Sequence, residues 1–92
     1  MTRQDIINEI TSKIVPMDFS VWRIGLTHKP HERRKYWKDT ERKDVSCWTS
    51  WRADSLSDAK AIENYFVSVR GMKCAINGDD LLHSKTVFAY IF

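Results

Sequence analysis

The stretch Thr86–Phe92, TVFAYIF, is apolar on both of the sides that a strand presents. Alternate side chains of a strand point to opposite faces, so such a run is stable as a strand only when it is covered on both. The rest of the chain must supply two covering layers, and the strand is expected inside its sheet. With 92 residues in all, there is room for one modest hydrophobic core.

Caps and spacing locate the helices. Thr2 followed by Asp5 makes a capping-box start, and Ile6, Ile7, Ile10 and Ile14 recur at helical spacing, which predicts a helix over 3–14. Pro16 ends it, because the residue before a proline is pushed toward extended geometry. Pro30 suits the first turn of a second helix that runs to about Lys38. That helix has almost no aliphatic residue, so Tyr36, Trp37 and the arginine stems must do its packing while its cations face outward. Ser55 and Asp58 cap a third helix with the apolar stripe Leu56, Ala59, Ile62, Phe66 and Val69. Gly71 stands where a left-handed helix cap favours glycine.

Between the helices, Phe19–Leu26, FSVWRIGL, reads as a strand with Trp22, Ile24 and Leu26 on one face and Val21, Arg23 and Gly25 on the other. Gly25 marks either the close approach of a backbone, a helix or a ligand, or a bulge or bend. Val45–Ala53, VSCWTSWRA, reads as a second strand in which Trp48 and Trp51 point opposite ways. Met72–Lys85 reads as a loop with a turn at Asn77-Gly78, followed by Asp79 and Asp80. The order α-β-α-β-α-β predicts a small single-domain α/β fold over residues 1–92, a three-stranded sheet with helices packed against it.

Charge is local. Residues 28–43 carry seven basic side chains (Lys29, Arg33, Arg34, Lys35, Lys38, Arg42, Lys43) against Glu32, Asp39 and Glu41, a surplus of +4, whereas the whole chain is only +3. Such a run is either a docking face for a polyanion or a solvated helix face. Cys47 and Cys74 can pair only once, which is no disulfide framework, so a reduced, cytoplasmic protein is expected. Asp5, Glu9 and Lys13 interrupt the apolar residues at the amino terminus, a pattern that fits neither a signal peptide nor a membrane span, and no membrane partner is expected.

Glu63 lies at the edge of the third helix's apolar stripe, four residues after Ala59 and three before Phe66. A carboxylate there is partly desolvated and needs a cation or a metal, the ordinary case being a lysine or arginine. His28, His31, Cys47 and Cys74 are metal-ligand types, but their spacing does not make a zinc set. There is no nucleotide-binding glycine loop and no nucleophile paired with a base.

Arg23-Ile24-Gly25, followed eight residues later by Arg33, then by a helix carrying Glu63 and by Asn77, resembles the GIY-YIG nuclease superfamily, and specifically its small bacterial and phage-type members. The resemblance covers about residues 19–77 and rests on the order and spacing of these elements together. It implies a GIY-YIG-like fold, in which Gly25 permits close backbone approach, Arg33 stabilises phosphate charge, Glu63 binds one Mg²⁺ and Asn77 supports the site. Phosphodiester hydrolysis needs such groups to polarise the phosphate and stabilise developing charge.

The sequence also departs from the family. Arg23 replaces the tyrosine of Tyr-Ile-Gly, the helix over 3–14 stands in place of the family's first strand with its tyrosine, and Trp37 occupies a position that is often histidine or tyrosine. Tyr36, Tyr65 and Tyr90 are the remaining candidates for a hydroxyl near Glu63. The expected function is therefore nucleic-acid binding, DNA in preference to RNA, by a divergent Mg²⁺-dependent endonuclease with impaired or lost catalysis. Trp22, Arg23, Gly25, Arg34, Trp37 and Lys38 join Arg33 in the expected interface, as cations and stacking surfaces. The alternative is a protein-interaction or regulatory module that keeps the fold without nuclease activity.

Overall fold

A computed structural model of the chain describes residues 1–75, 81 and 86–92. Helix α1 (Arg3–Ile14) begins on its capping box: Thr2 Oγ1 accepts the Asp5 N–H at 3.1 Å, and the Thr2 N–H donates to Asp5 Oδ2 at 3.2 Å. It ends at Val15, already extended ahead of Pro16 with φ −64° and ψ 134°. Helix α2 (Pro30–Asp39) places Pro30 in its first turn, and α3 (Leu56–Ser68) starts on Ser55, which accepts the Asp58 N–H at 3.0 Å. Both of these helices leave by the same reversal. Lys43 N–H donates to the Trp37 carbonyl at 2.9 Å and Met72 N–H to the Phe66 carbonyl at 3.0 Å, each across a left-handed residue, Arg42 (φ 55°) and Gly71 (φ 78°). Arg42 carries a Cβ in that conformation at a cost of about 1 kcal/mol, which Gly71 avoids.

The strands are β1 (Arg23–Thr27), β2 (Thr49–Ala53), β3 (Lys73–Cys74) and β4 (Val87–Ile91). β1 and β2 each start later than their composition suggests, and for the same reason. Asp18 accepts the Ser20 N–H and Asp44 accepts the Ser46 N–H, both at 2.9 Å, so an Asp side chain closes a turn where the backbone would otherwise extend. Phe19–Val21 become a 3₁₀ turn that stacks Phe19 on Phe66 at 6.2 Å. Val45 accepts the Trp48 N–H at 3.1 Å in the other turn.

The sheet has four strands, not three, in the order β2-β4-β1-β3. The additional strand is the two-residue β3, parallel to β1, held by the Lys73 N–H on the Trp22 carbonyl at 3.0 Å and the Ala75 N–H on the Ile24 carbonyl at 2.8 Å. Two residues are too few to leave a periodic signal, and their pairing is decided by β1. β4 lies between β1 and β2 and is antiparallel to both. As its sequence requires, it is packed on both faces.

On one face, Ile6, Ile10 and Ile14 of α1 with Ala59, Ile62 and Phe66 of α3 cover a layer that includes Ile24, Leu26, Trp51 and Ile91. On the other, Trp37 of α2 with Val45 and Trp48 of the following turn covers Tyr90, Phe92 and Ala75. Trp48 and Trp51 therefore serve opposite faces, in agreement with the alternation of their segment. The Cα radius of gyration, 12.2 Å, is that of a compact chain of this length, for which scaling gives about 12 Å. Among the described residues no helix is long and apolar enough to cross a membrane.

Gly25 is a point of close approach on the second face. It pairs with Tyr90 across β1 and β4 without a break in register from Ile24 to Thr27, so it marks a close approach and not a bulge. A Cβ on Gly25 would stand 2.5 Å from both Cζ and the hydroxyl of Tyr90, and 3.0 Å from Cβ of Ala75. Gly25→Ala is expected to lower unfolding free energy by about 1–3 kcal/mol in urea titration, as overpacking does. In a Tyr90→Ala background the same substitution should cost only a few tenths of that; an equal cost in both backgrounds would refute the clash.

Candidate functional site

Tyr90 is fully buried in a cluster of Trp37, Val45, Trp48, Ala75 and Phe92. Gly25 leaves space beneath its ring, Trp48 stacks on it with centroids 4.4 Å apart at 14°, and its hydroxyl accepts the Trp37 Nε1–H at 3.1 Å. Trp37 thus ties α2 to the centre of the sheet. Trp37 then meets Tyr36 edge-to-face at 5.7 Å, and the Arg33 guanidinium lies 5.0 Å over the Tyr36 ring. Arg33 is therefore presented from a helix that is anchored through one buried aromatic residue, Trp37.

Beside it is a cavity of about 140 Å³ lined by Thr27, Lys29, Glu32, Arg33 and Tyr36. Thr27, at the carboxyl end of β1, is wholly buried and accepts the Lys29 N–H on Oγ1 at 3.0 Å, which fixes the turn into α2. Lys29 and Glu32 approach to 3.7 Å across the exposed rim, where such a pair contributes little. Tyr36 is held in place by its hydroxyl, which donates to Glu41 Oε1 at 2.7 Å. That bond to the carboxylate raises the phenol above its usual value.

The remaining expected interface residues divide. Arg34 and Lys38 are exposed on α2, as are Lys35, Arg42 and Lys43 around them. Arg23 is half-buried, its guanidinium 5.6 Å over Phe92, beside a second cavity of about 300 Å³ that includes Asp44, Ser46 and Cys47. Trp22 and Trp37 are each only 7 % exposed and belong to the two cores, so their rings pack the protein and offer no free stacking face for a base. Gly25 is likewise occupied, by Tyr90. The contact that sequence spacing could not supply is Tyr90 itself, because its neighbour in the sheet lies far away in the chain.

Glu63 belongs to the other layer. It is half-buried on α3, where Cys74 Sγ of β3 lies 3.9 Å from its Oε2, while Arg33 sits on α2 across the sheet. Burial pushes the Glu63 carboxyl above its usual range, with the Cys74 contact and the Lys60 charge acting against that. The Cys74 thiol is pushed up by burial and by the Glu63 charge. Neither cysteine is in a disulfide. Among the described residues no group of three or more His, Cys, Asp or Glu side chains converges. Asn77, with Gly78, Asp79 and Asp80, lies outside the described residues.

Comparison of the chain with protein-family models, with curated proteins and with solved structures finds no match in any of the three.

Because the folded carboxyl of Glu63 is raised, its contribution to stability is complete below the ordinary carboxylate range and is lost as pH rises through the raised value. Glu63→Gln removes that loss. Wild type and Glu63→Gln should melt together below about pH 4, and the variant should melt higher at neutral pH, by calorimetry or circular dichroism. A neutral-pH melting temperature for Glu63→Gln at or below wild type would show that the charge is stabilised by something other than its described neighbours.

Proposed function

We propose that the chain is a nucleic-acid-binding domain of GIY-YIG nuclease type, with DNA its preferred partner and cleavage impaired or lost. The observation that carries this reading is the contact series Tyr90, Trp37, Tyr36, Arg33, which starts at Gly25 and ends in a cation on α2. The family resemblance puts an arginine eight residues after the strand glycine. Here that arginine lies beside exposed Arg34, Lys35 and Lys38, whose charge suits a phosphate backbone. Tyr90 adds support of its own. It reaches the strand glycine from the antiparallel neighbour of β1 and, through Trp37, seats the helix that carries Arg33.

Catalysis is a different matter. The hydroxyl of Tyr90 is buried, and Glu63 occupies the opposite layer. Mg²⁺ takes hard oxygen ligands, and the described neighbour of Glu63 is a thiol, a soft one. The residues described do not fit a magnesium site, and the reading rests on binding alone.

On duplex DNA, log K should fall linearly with log salt, and Arg33→Ala should weaken binding on every sequence while reducing the slope by about 0.9. Fluorescence anisotropy across a salt series measures both. Binding that is absent, or indifferent to salt, removes the proposal and leaves the protein-interaction alternative.

A further inference from the structure

The cavity beside Arg33 has a size and a chemistry of its own. It is a small cavity of about 140 Å³ that opens to solvent between exposed Lys29, Glu32 and Tyr36. Two of its lining residues, Lys29 and Arg33, are cationic, and its floor is Thr27 at the carboxyl end of a strand, where ligands of open α/β sheets gather. Glu32 brings one negative charge to the wall, but it lies 3.7 Å from Lys29 at the exposed rim.

What distinguishes this cavity from an ordinary gap between surface side chains is how Arg33 is held. A free arginine loses rotamer freedom when it binds an anion, and a guanidinium already stacked on an aromatic ring loses less. Two contacts hold the Tyr36 ring under Arg33: its hydroxyl donates to Glu41 at 2.7 Å, and it meets Trp37 in a T-shaped contact at 5.7 Å. Glu41 is itself anchored by its N–H on the Tyr36 carbonyl at 3.2 Å. Trp37 in turn is held by Tyr90.

We infer that the cavity bounded by Thr27, Lys29, Arg33 and Tyr36 receives a single phosphate group, and that Tyr36, pinned by Glu41, is a positioning residue that presents Arg33 to it. The inference rests on the nucleic-acid reading for where that phosphate comes from. The group is either a terminal phosphate or one within the backbone, and both present the same oxygens to Arg33 and Lys29.

Three probes test this on the intact chain: inorganic phosphate, a short single-stranded DNA with a 5′-phosphate, and the same DNA with a 5′-hydroxyl. Inorganic phosphate should shift the amide signals of Thr27, Lys29 and Arg33 in NMR spectra. Tyr36→Ala should weaken DNA binding about two- to fivefold, the usual worth of a cation–π contact, and Tyr36→Phe, which keeps the ring, should restore most of it. In an Arg33→Ala background Tyr36→Ala should have no further effect, since a residue that acts through Arg33 has nothing left to act on. Tighter binding of the 5′-phosphate strand assigns the pocket to an end group; equal binding of the two strands with the Tyr36–Arg33 coupling intact assigns it to the backbone. The same loss from Tyr36→Ala with and without Arg33 overturns the positioning role, and DNA binding with no phosphate-induced shift at the three amides overturns the pocket. Phosphate shifts without DNA binding keep the pocket and remove the nucleic-acid reading.

Discussion

Most of this structure follows from the insertion of β4 between β1 and β2. A central strand that is apolar on both faces forces the chain to build two covers, and the two are made of unequal material. α1 and α3 bring isoleucines, alanine and phenylalanine at helical spacing, the standard means of covering a sheet. α2 brings one buried residue, Trp37, and the turn after it contributes Val45 and Trp48. The second cover is thin in residues and is made up with aromatic area instead: Trp37 packs on Phe92, and Trp48, Tyr90 and Phe92 stack on one another.

An aromatic layer has little tolerance for extra volume, which is why the glycine opposite Tyr90 is decisive. With no side chain on Gly25, the Tyr90 ring lies against β1 and its hydroxyl meets Trp37. That hydrogen bond satisfies a buried indole N–H, which would otherwise carry a desolvation cost of about 1–3 kcal/mol. It also sets the position of α2 on the sheet. The polar residues of α2 are thus displayed from a helix whose seat is decided by one glycine and one tyrosine from distant parts of the chain.

The sequence made the three helices legible because each announces itself locally. Thr2 with Asp5 forms the full capping box, Ser55 accepts the Asp58 N–H as a simple cap, and the isoleucine spacing of α1 matches its buried face. Strand starts were less legible. The β-branched and aromatic residues at Phe19–Val21 and Val45–Trp48 favour extension, yet an Asp two residues before a Ser closes a turn at each place. That Asp-x-Ser pattern is visible in the sequence and would have trimmed both strands. β3 had no such signal, being two residues paired by β1 alone. Of the candidate site, Arg33 was singled out only by the family resemblance, and the structure places it beside the cavity at Thr27, while the burial of Trp22 and Trp37 depends on which layers the strand order creates. Tyr90 could not be placed against Gly25 without knowing that the last strand returns beside the first.

The separation of Arg33 from Glu63 has a topological origin. The path from β1 through α2 to β2 crosses the sheet in one direction, and the path from β2 through α3 to β3 crosses it in the other. Parallel crossovers share one hand, so two that travel in opposite directions must lie on opposite faces. No change of side-chain conformation on a face can bring the two residues together. Among the described residues, Glu63 lies beside Cys74 of β3, which pairs with the start of β1, and Arg33 lines the cavity at Thr27, the last residue of β1. A ligand that meets Arg33 on its own face does not by that contact reach Glu63, which packs with the other layer.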